Sequence, residues 1–343
     1  MKKVLTFGEM MLRLKPLDHQ RILQANQYEA AYGGAEANVA ISLALLGDQA
    51  TFMTKFPDNL LGQTALSHLR KFGVATDQII FGGPRLGVYY FEKGASVRNT
   101  NVVYDRAGSS FAVSQTNEYD WPNILRDVDY FYFSGITPAI SDELFQAVLA
   151  ACRYCHDHEI TIVCDMNYRG KMWSQEKAQA AMKQLMQYVN ICITNDEDFE
   201  ETLGIRAFDG DMTRGIDQRH DFEAAMREVT NRYPNCTMVA SVLRNIYSVE
   251  KSQWTGLLLR DGEFYEAPVY DMHVMEGVAG GDAFSGGLLH SLVHDFAPQA
   301  MINYATAASV LKLTISGDQN LVSDSDIRSV MNAASGASSS VNR

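Results

Sequence analysis

Several things are scarce in this chain of 343 residues. Nowhere do about 18 apolar residues follow one another, which excludes a helical membrane span. Positive charge is in deficit, with 29 Lys and Arg against 41 Asp and Glu for a net of −12. A nucleic acid or an anionic membrane would draw on a basic field, so neither is expected as a partner, and an anionic substrate would need local cations. Cysteines number only five, an odd and scattered set unlike the framework of a small secreted domain, and free thiols are expected. Cys152 and Cys155 form a CxxC inside a helical pattern, where i and i+3 merely share a face, and no second pair follows at zinc spacing. Glu9 interrupts the N-terminal residues before a signal-peptide core builds up, so a cytoplasmic location is expected. Neither a GxxxxGK[ST] loop nor a GxGxxG after a strand occurs. That absence argues against a P-loop enzyme and against an NAD-dependent dehydrogenase.

Short apolar or β-branched runs are present instead, at Val4 to Phe7, Tyr130 to Phe133, Thr161 to Cys164, Ile191 to Thr194 and Met238 to Val242, with helical patterns between them. Asp142 to His158 places Leu144, Phe145, Val148, Leu149 and Cys152 on one stripe, as a helix covering a parallel sheet would. The alternation predicts a doubly wound α/β sheet flanked by helices. Two stretches, about 12–32 and 86–111, break the rhythm. Within the second, Gly87 to Phe91 and Asn101 to Asp105 read as short paired strands without a crossover helix, which predicts a small antiparallel β-sheet lid over a ligand cleft. One domain over residues 1–332 is expected, followed by a flexible tail at 333–343, where Ser and Gly leave too few apolar groups to offset ordering.

The most informative segment is Glu276-Gly277-Val278-Ala279-Gly280-Gly281-Asp282-Ala283-Phe284, a flexible turn that ends at an acid and enters a helix. Glycines let a ligand approach the backbone, and the free N–H groups of a helix start attract an anion such as phosphate. A carboxylate at such a place suits proton abstraction from an attacking hydroxyl. The plainer alternative is that Asp282 is an N-cap, satisfying the backbone donors of its own helix.

This segment resembles the C-terminal signature of the ribokinase-like (PfkB) carbohydrate kinases, and four more segments agree in order over nearly the whole chain. Gly33-Gly34-Ala35-Glu36-Ala37-Asn38 is similar to the family's sugar-binding GGxxxN turn and is followed by a helix stop at Leu45-Leu46-Gly47. Asp165-Met166-Asn167-Tyr168-Arg169 resembles DxNxR, Asn195-Asp196-Glu197-Asp198 the Asn-and-acid magnesium segment, and Asn303-Tyr304-Ala305 the adenosine-side helix. Tyr89-Tyr90, Tyr104 to Ser110 and Leu311 to Asp318 are similar to the family members that act on 2-keto-3-deoxygluconate.

The resemblance implies an ATP- and Mg²⁺-dependent kinase that phosphorylates the terminal hydroxyl of this sugar acid. By the same resemblance Asp282 is the base, and the amides of Ala279, Gly280 and Gly281 hold the migrating phosphoryl. Gly34, Asn38, Tyr90, Tyr104, Arg106 and Arg169 bind substrate, the two arginines through its carboxylate. Asn195 and Asn303 lie on the nucleotide side, while Glu197 or Asp198 orients water around Mg²⁺. Two positions depart from the family pattern: Ala279 stands where glycine is usual, and Asp198 where an acid one methylene longer is common. A left-handed backbone at Ala279 would cost about 1–2 kcal/mol. The alternatives are a kinase for fructose, ribose or another keto sugar, and a sugar-acid sensor without catalysis. A homodimer through the lid is also expected.

Overall fold

The structure is a computed structural model, and it describes residues 2–334. Six parallel strands form the body of the main sheet, in the spatial order Gln49–Met53, Lys3–Phe7, Tyr130–Ser134, Thr161–Asp165, Ile191–Thr194 and Met238–Ile246. All five expected runs are strands of this sheet. Three antiparallel strands, Lys251–Arg260, Glu263–Glu266 and Tyr270–His273, extend it beyond Met238–Ile246.

Alternation along each strand divides its residues between two cores. Leu5, Phe131, Phe133, Ile162 and Cys164 pack on one side with the helices Asp142–Asp157, Gln175–Leu185 and Arg219–Arg232. Val4, Tyr132, Val163 and Ile193 pack on the other with Ala35–Leu45, Gly280–Val293 and Pro298–Lys312. Near-continuous apolar strand sequences reflect this burial on both faces. Cys152 and Cys155 lie wholly inside the first core, where burial pushes both thiols up, Cys155 to about 12, and suppresses thiolate chemistry.

A second sheet of four strands runs in the order Tyr28–Gly33, Met11–Pro16, Val88–Glu92 and Asn101–Asp105. Its outer pairs are antiparallel, but its central pair, Met11–Pro16 with Val88–Glu92, is parallel, so the expected all-antiparallel lid is corrected. The two segments come from separate crossings out of the main sheet, which lets them run in the same direction. Of the expected tail, Ala333 and Ala334 instead close the helix Asp324–Ala334, and 335–343 fall outside the described residues. Among the described residues no helix is long and apolar enough to cross a membrane.

Candidate active site

Two helix N-termini meet at the bottom of a cleft of about 930 Å³ between the main sheet and the lid. One belongs to Ala35–Leu45, entered through Gly34. A Cβ on Gly34 would lie 2.0 Å from the Glu9 carbonyl oxygen, so only glycine permits this approach. The other belongs to Gly280–Val293, and the two helices pack so tightly that a Cβ on Gly286 would come within 2.8 Å of that of Ser42.

Ala279 precedes the second helix with φ 57° and ψ 18°. The left-handed backbone conditionally expected from the sequence is therefore present, at a cost of about 1–2 kcal/mol. Asp282 is the third residue of the helix and makes no capping bond, which overturns the N-cap alternative. Its Oδ2 instead accepts a hydrogen bond of 2.7 Å from Asn38 Nδ2. Burial pushes its pKa up to about 7, against the opposing pull of the Asn38 bond and of Arg169. A Cβ added to Gly281 would touch nothing within 4 Å, so the space in front of these amides is open to a ligand.

Other acids crowd the floor. Asp165 is held well above its ordinary value by burial and by the nearby Asp198 and Asp282. Asp198 rises to about 6 through burial, although Tyr168 N–H donates to its Oδ1 at 2.8 Å. Its Oδ2 is buried without a hydrogen-bond partner. Glu36, in the first turn of the first helix, is also raised by burial while Ser134 and Thr137 hydroxyls donate to it at 2.7 and 2.9 Å.

Most of the residues expected from the sequence line this cleft: Gly34, Asn38, Tyr104, Arg106, Arg169, Asn195, Glu197, Asp198, Ala279, Gly280, Gly281 and Asp282. The two arginines differ. Arg106 already pairs with Glu9, its Nε donating to Oε2 at 2.8 Å. Arg169 is exposed and makes no ion pair among the described residues. Two residues are not brought to the cleft. Tyr90 packs edge-on against Tyr28 on the other face of the lid, and its neighbour Tyr89 turns inward instead, because adjacent strand residues face opposite ways. Asn303 accepts from Gln299 Nε2 at 2.9 Å on its own helix, away from the cleft wall.

Sequence reasoning passed over the polar weld between lid and floor. Arg13 is buried and pairs with both Glu276 and Asp318. Lys15 donates to Glu276 Oε2 at 3.0 Å, and Tyr89 donates to Asp318 Oδ1 at 2.7 Å. Arg13 and Lys15 occupy alternate positions of Met11–Pro16, and that cationic parity is the buried one, whereas Leu12 and Leu14 are half-exposed. On the opposite wall Arg244 pairs with Asp196 and lies over the Trp254 ring at 5.3 Å.

A helix start aimed at open space, a half-buried carboxylate within it and a lid above define a phosphotransferase cleft, and the family comparison agrees: the chain belongs to the pfkB family of carbohydrate kinases, matched over residues 1–325. It has the ribokinase-like fold. The crystal structure of 2-dehydro-3-deoxygluconokinase from Thermotoga maritima superposes with a TM-score of 0.91 and is 41% identical, over 98% of this chain and 100% of that one. A 2-dehydro-3-deoxygalactonokinase from Haloferax volcanii is 31% identical over 96% of each chain. A pfkB family carbohydrate kinase from Listeria grayi is 31% identical with a TM-score of 0.88, over 97% of this chain and 100% of that one. Family membership sets aside the dehydrogenase and the sensor without catalysis.

Proposed function

We propose that this kinase transfers the γ-phosphoryl of ATP to the terminal hydroxyl of 2-keto-3-deoxygluconate, giving 2-keto-3-deoxy-6-phosphogluconate and ADP in the cytoplasm. The observation that carries the reading is Asp282: a carboxylate with a pKa of about 7, at an amide-lined helix start, in one cleft with Arg169, which makes no ion pair among the described residues. Asp282 takes the hydroxyl proton as the sugar oxygen attacks phosphorus and the bond to the ADP oxygen breaks. Charge developing on the phosphoryl oxygens meets the N–H groups of Ala279, Gly280 and Gly281, which are already oriented. Asn38 holds Asp282 through Nδ2, and its buried Oδ1, without a partner, is free to accept from a substrate hydroxyl. Arg169 takes the sugar carboxylate, while Arg106, Tyr104 and Gly34 shape the pocket around it.

Arg244 and Asn195 suit the triphosphate side. The unpartnered Asp198 Oδ2 and the exposed Glu197 fit Mg²⁺, a hard cation that prefers oxygen and retains water. When bound, Mg²⁺ supplies neutralisation of phosphate charge. A homodimer would form through the lid, whose outer strand Asn101–Asp105 leaves Val103 exposed.

The test is a panel of sugar acids and neutral sugars with ATP and Mg²⁺, scored for ADP. 2-Keto-3-deoxygluconate is expected to give the highest kcat/KM. The galactonate epimer is the second candidate, given the name of the Haloferax relative. Arg169→Ala should raise KM for the acid at least about 10-fold and leave neutral sugars unaffected. A neutral keto sugar as best substrate would overturn the reading.

A further inference from the structure

The catalytic helix carries a second polar cluster at its far end. His290 and His294 lie on one face, four residues apart, and both grip the side chain of Asp48. His290 Nδ1 stands 2.7 Å from Asp48 Oδ2, and His294 Nε2 stands 2.9 Å from Oδ1. Asp48 is delivered by the helix stop at Gly47, whose φ of 88° turns the chain so that Asp48 N–H returns to the Leu43 carbonyl. The Asp48 side chain is fully buried, and among the described residues no lysine or arginine pairs with it. A buried carboxylate needs a positive counterpart, because desolvation strips it of water without replacing the lost interaction.

The geometry points to a zinc-type divalent metal site formed by Asp48, His290 and His294, with Asp324 as its outer carboxylate. The three donor atoms lie within 4.8 Å of one another. Tetrahedral bonds of about 2.0–2.2 Å set donors about 3.3 Å apart, so both nitrogens, which now face different oxygens of Asp48, would draw back by about half an ångström and turn toward one of them. Two imidazoles and one carboxylate are a donor set that zinc accepts, leaving a fourth position for water on the side where His294 is partly exposed.

The surroundings supply an independent reason. A metal on His290 Nδ1 leaves its proton on Nε2, which faces Asp324 Oδ1 at 3.8 Å. At that distance the pair is an electrostatic contact and not a hydrogen bond, and a small rotation would let the second N–H reach the carboxylate, as it ordinarily does in a ligating histidine. Asp324 is itself positioned by the Tyr304 hydroxyl at 2.9 Å and by Arg328 Nε at 2.7 Å, and the Tyr304 ring stacks on His290. The site stands at the opposite end of the helix from Asp282, eight to twelve residues or about 12–18 Å along its axis, so it does not share ligands with the reaction.

The experiment is calorimetric titration of the chelator-treated full chain with zinc, in millimolar Mg²⁺ to occupy oxygen-only sites, with melting temperature followed in parallel. One zinc per chain and a raised melting temperature are expected, and H294Q should weaken binding at least about 100-fold while keeping kinase activity. Should H294Q fail to fold, D324N reads the outer carboxylate, with an expected loss of about 10–100-fold. Binding unchanged in the folded variant, or no zinc bound by the parent below about 100 µM with a melting temperature that responds to pH alone, would overturn the proposal and leave the cluster a proton-bridged one.

Discussion

Glu276 and Asp282 sit six residues apart, at the two ends of one turn, and their carboxyl groups are driven in opposite directions. Burial favours the neutral form of both. At Glu276 it is overcome by Arg13 and Lys15, which hold the pKa at about 2. At Asp282 no cation among the described residues makes contact, so burial prevails and the pKa is about 7. A buried acid given a fixed cation becomes part of the scaffold, and one left with only an amide partner becomes available for proton transfer. The lid weld and the reacting centre are thus built from the same residue types, separated by what stands beside them.

That contrast can be broken most strongly at Asp282. Asp282→Asn keeps the shape and the Asn38 contact but removes the base, and turnover should fall about 10²–10⁴-fold with sugar-acid binding nearly intact, read as kcat against substrate Kd. Arg13→Met addresses the other region. It leaves Glu276 and Asp318 buried without their shared cation, and denaturant unfolding should show a loss of about 3–5 kcal/mol.

A third effect has the opposite sign. Because the folded-state pKa of Asp282 is raised, its burial costs nothing below the unfolded value near 4 and is penalised as pH climbs through about 7. Asp282→Asn should therefore be more stable than the parent at pH 8, by about 1–3 kcal/mol, and equal to it near pH 4; equal stability at both would contradict a raised carboxylate. The parent's kcat/KM should correspondingly increase through pH 7 as the base ionises. The smallest change is Ala279→Gly. It releases the left-handed strain and should add about 1 kcal/mol of stability, with turnover rising if the strain misaims the amide.

Much of this was readable beforehand. The parallel strands announced themselves because burial on both faces leaves nearly unbroken apolar runs, and the Gly-Gly-Asp turn because few residue types suit a ligand-facing helix start. The lid weld was not legible. In Met11–Pro16 the leucines look like the buried parity, yet Arg13 and Lys15 turn inward, since acids more than 260 residues away await them. Tyr89 and Tyr90 illustrate a one-residue ambiguity: both suit a strand, and only the register of the lid decides which faces the cleft. Asn303 is displaced for a similar reason, since a part-turn of rotation about its helix decides whether it faces the cleft or the side shared with Gln299. The antiparallel edge Lys251–His273 has no crossover helices between its strands, and it is those helices that mark the rest of the sheet in the sequence.

Arg13 is separated from its two acidic partners by 263 and 305 positions. During synthesis at about 5–20 residues per second, that guanidinium waits roughly 15–60 s for Asp318 to leave the ribosome. The lid's first strand is thus made well before either acid that secures it, and a nascent chain halted ahead of Asp318 would hold the weld through Glu276 alone, with the Tyr89 hydroxyl and one arm of Arg13 still waiting for their acceptor.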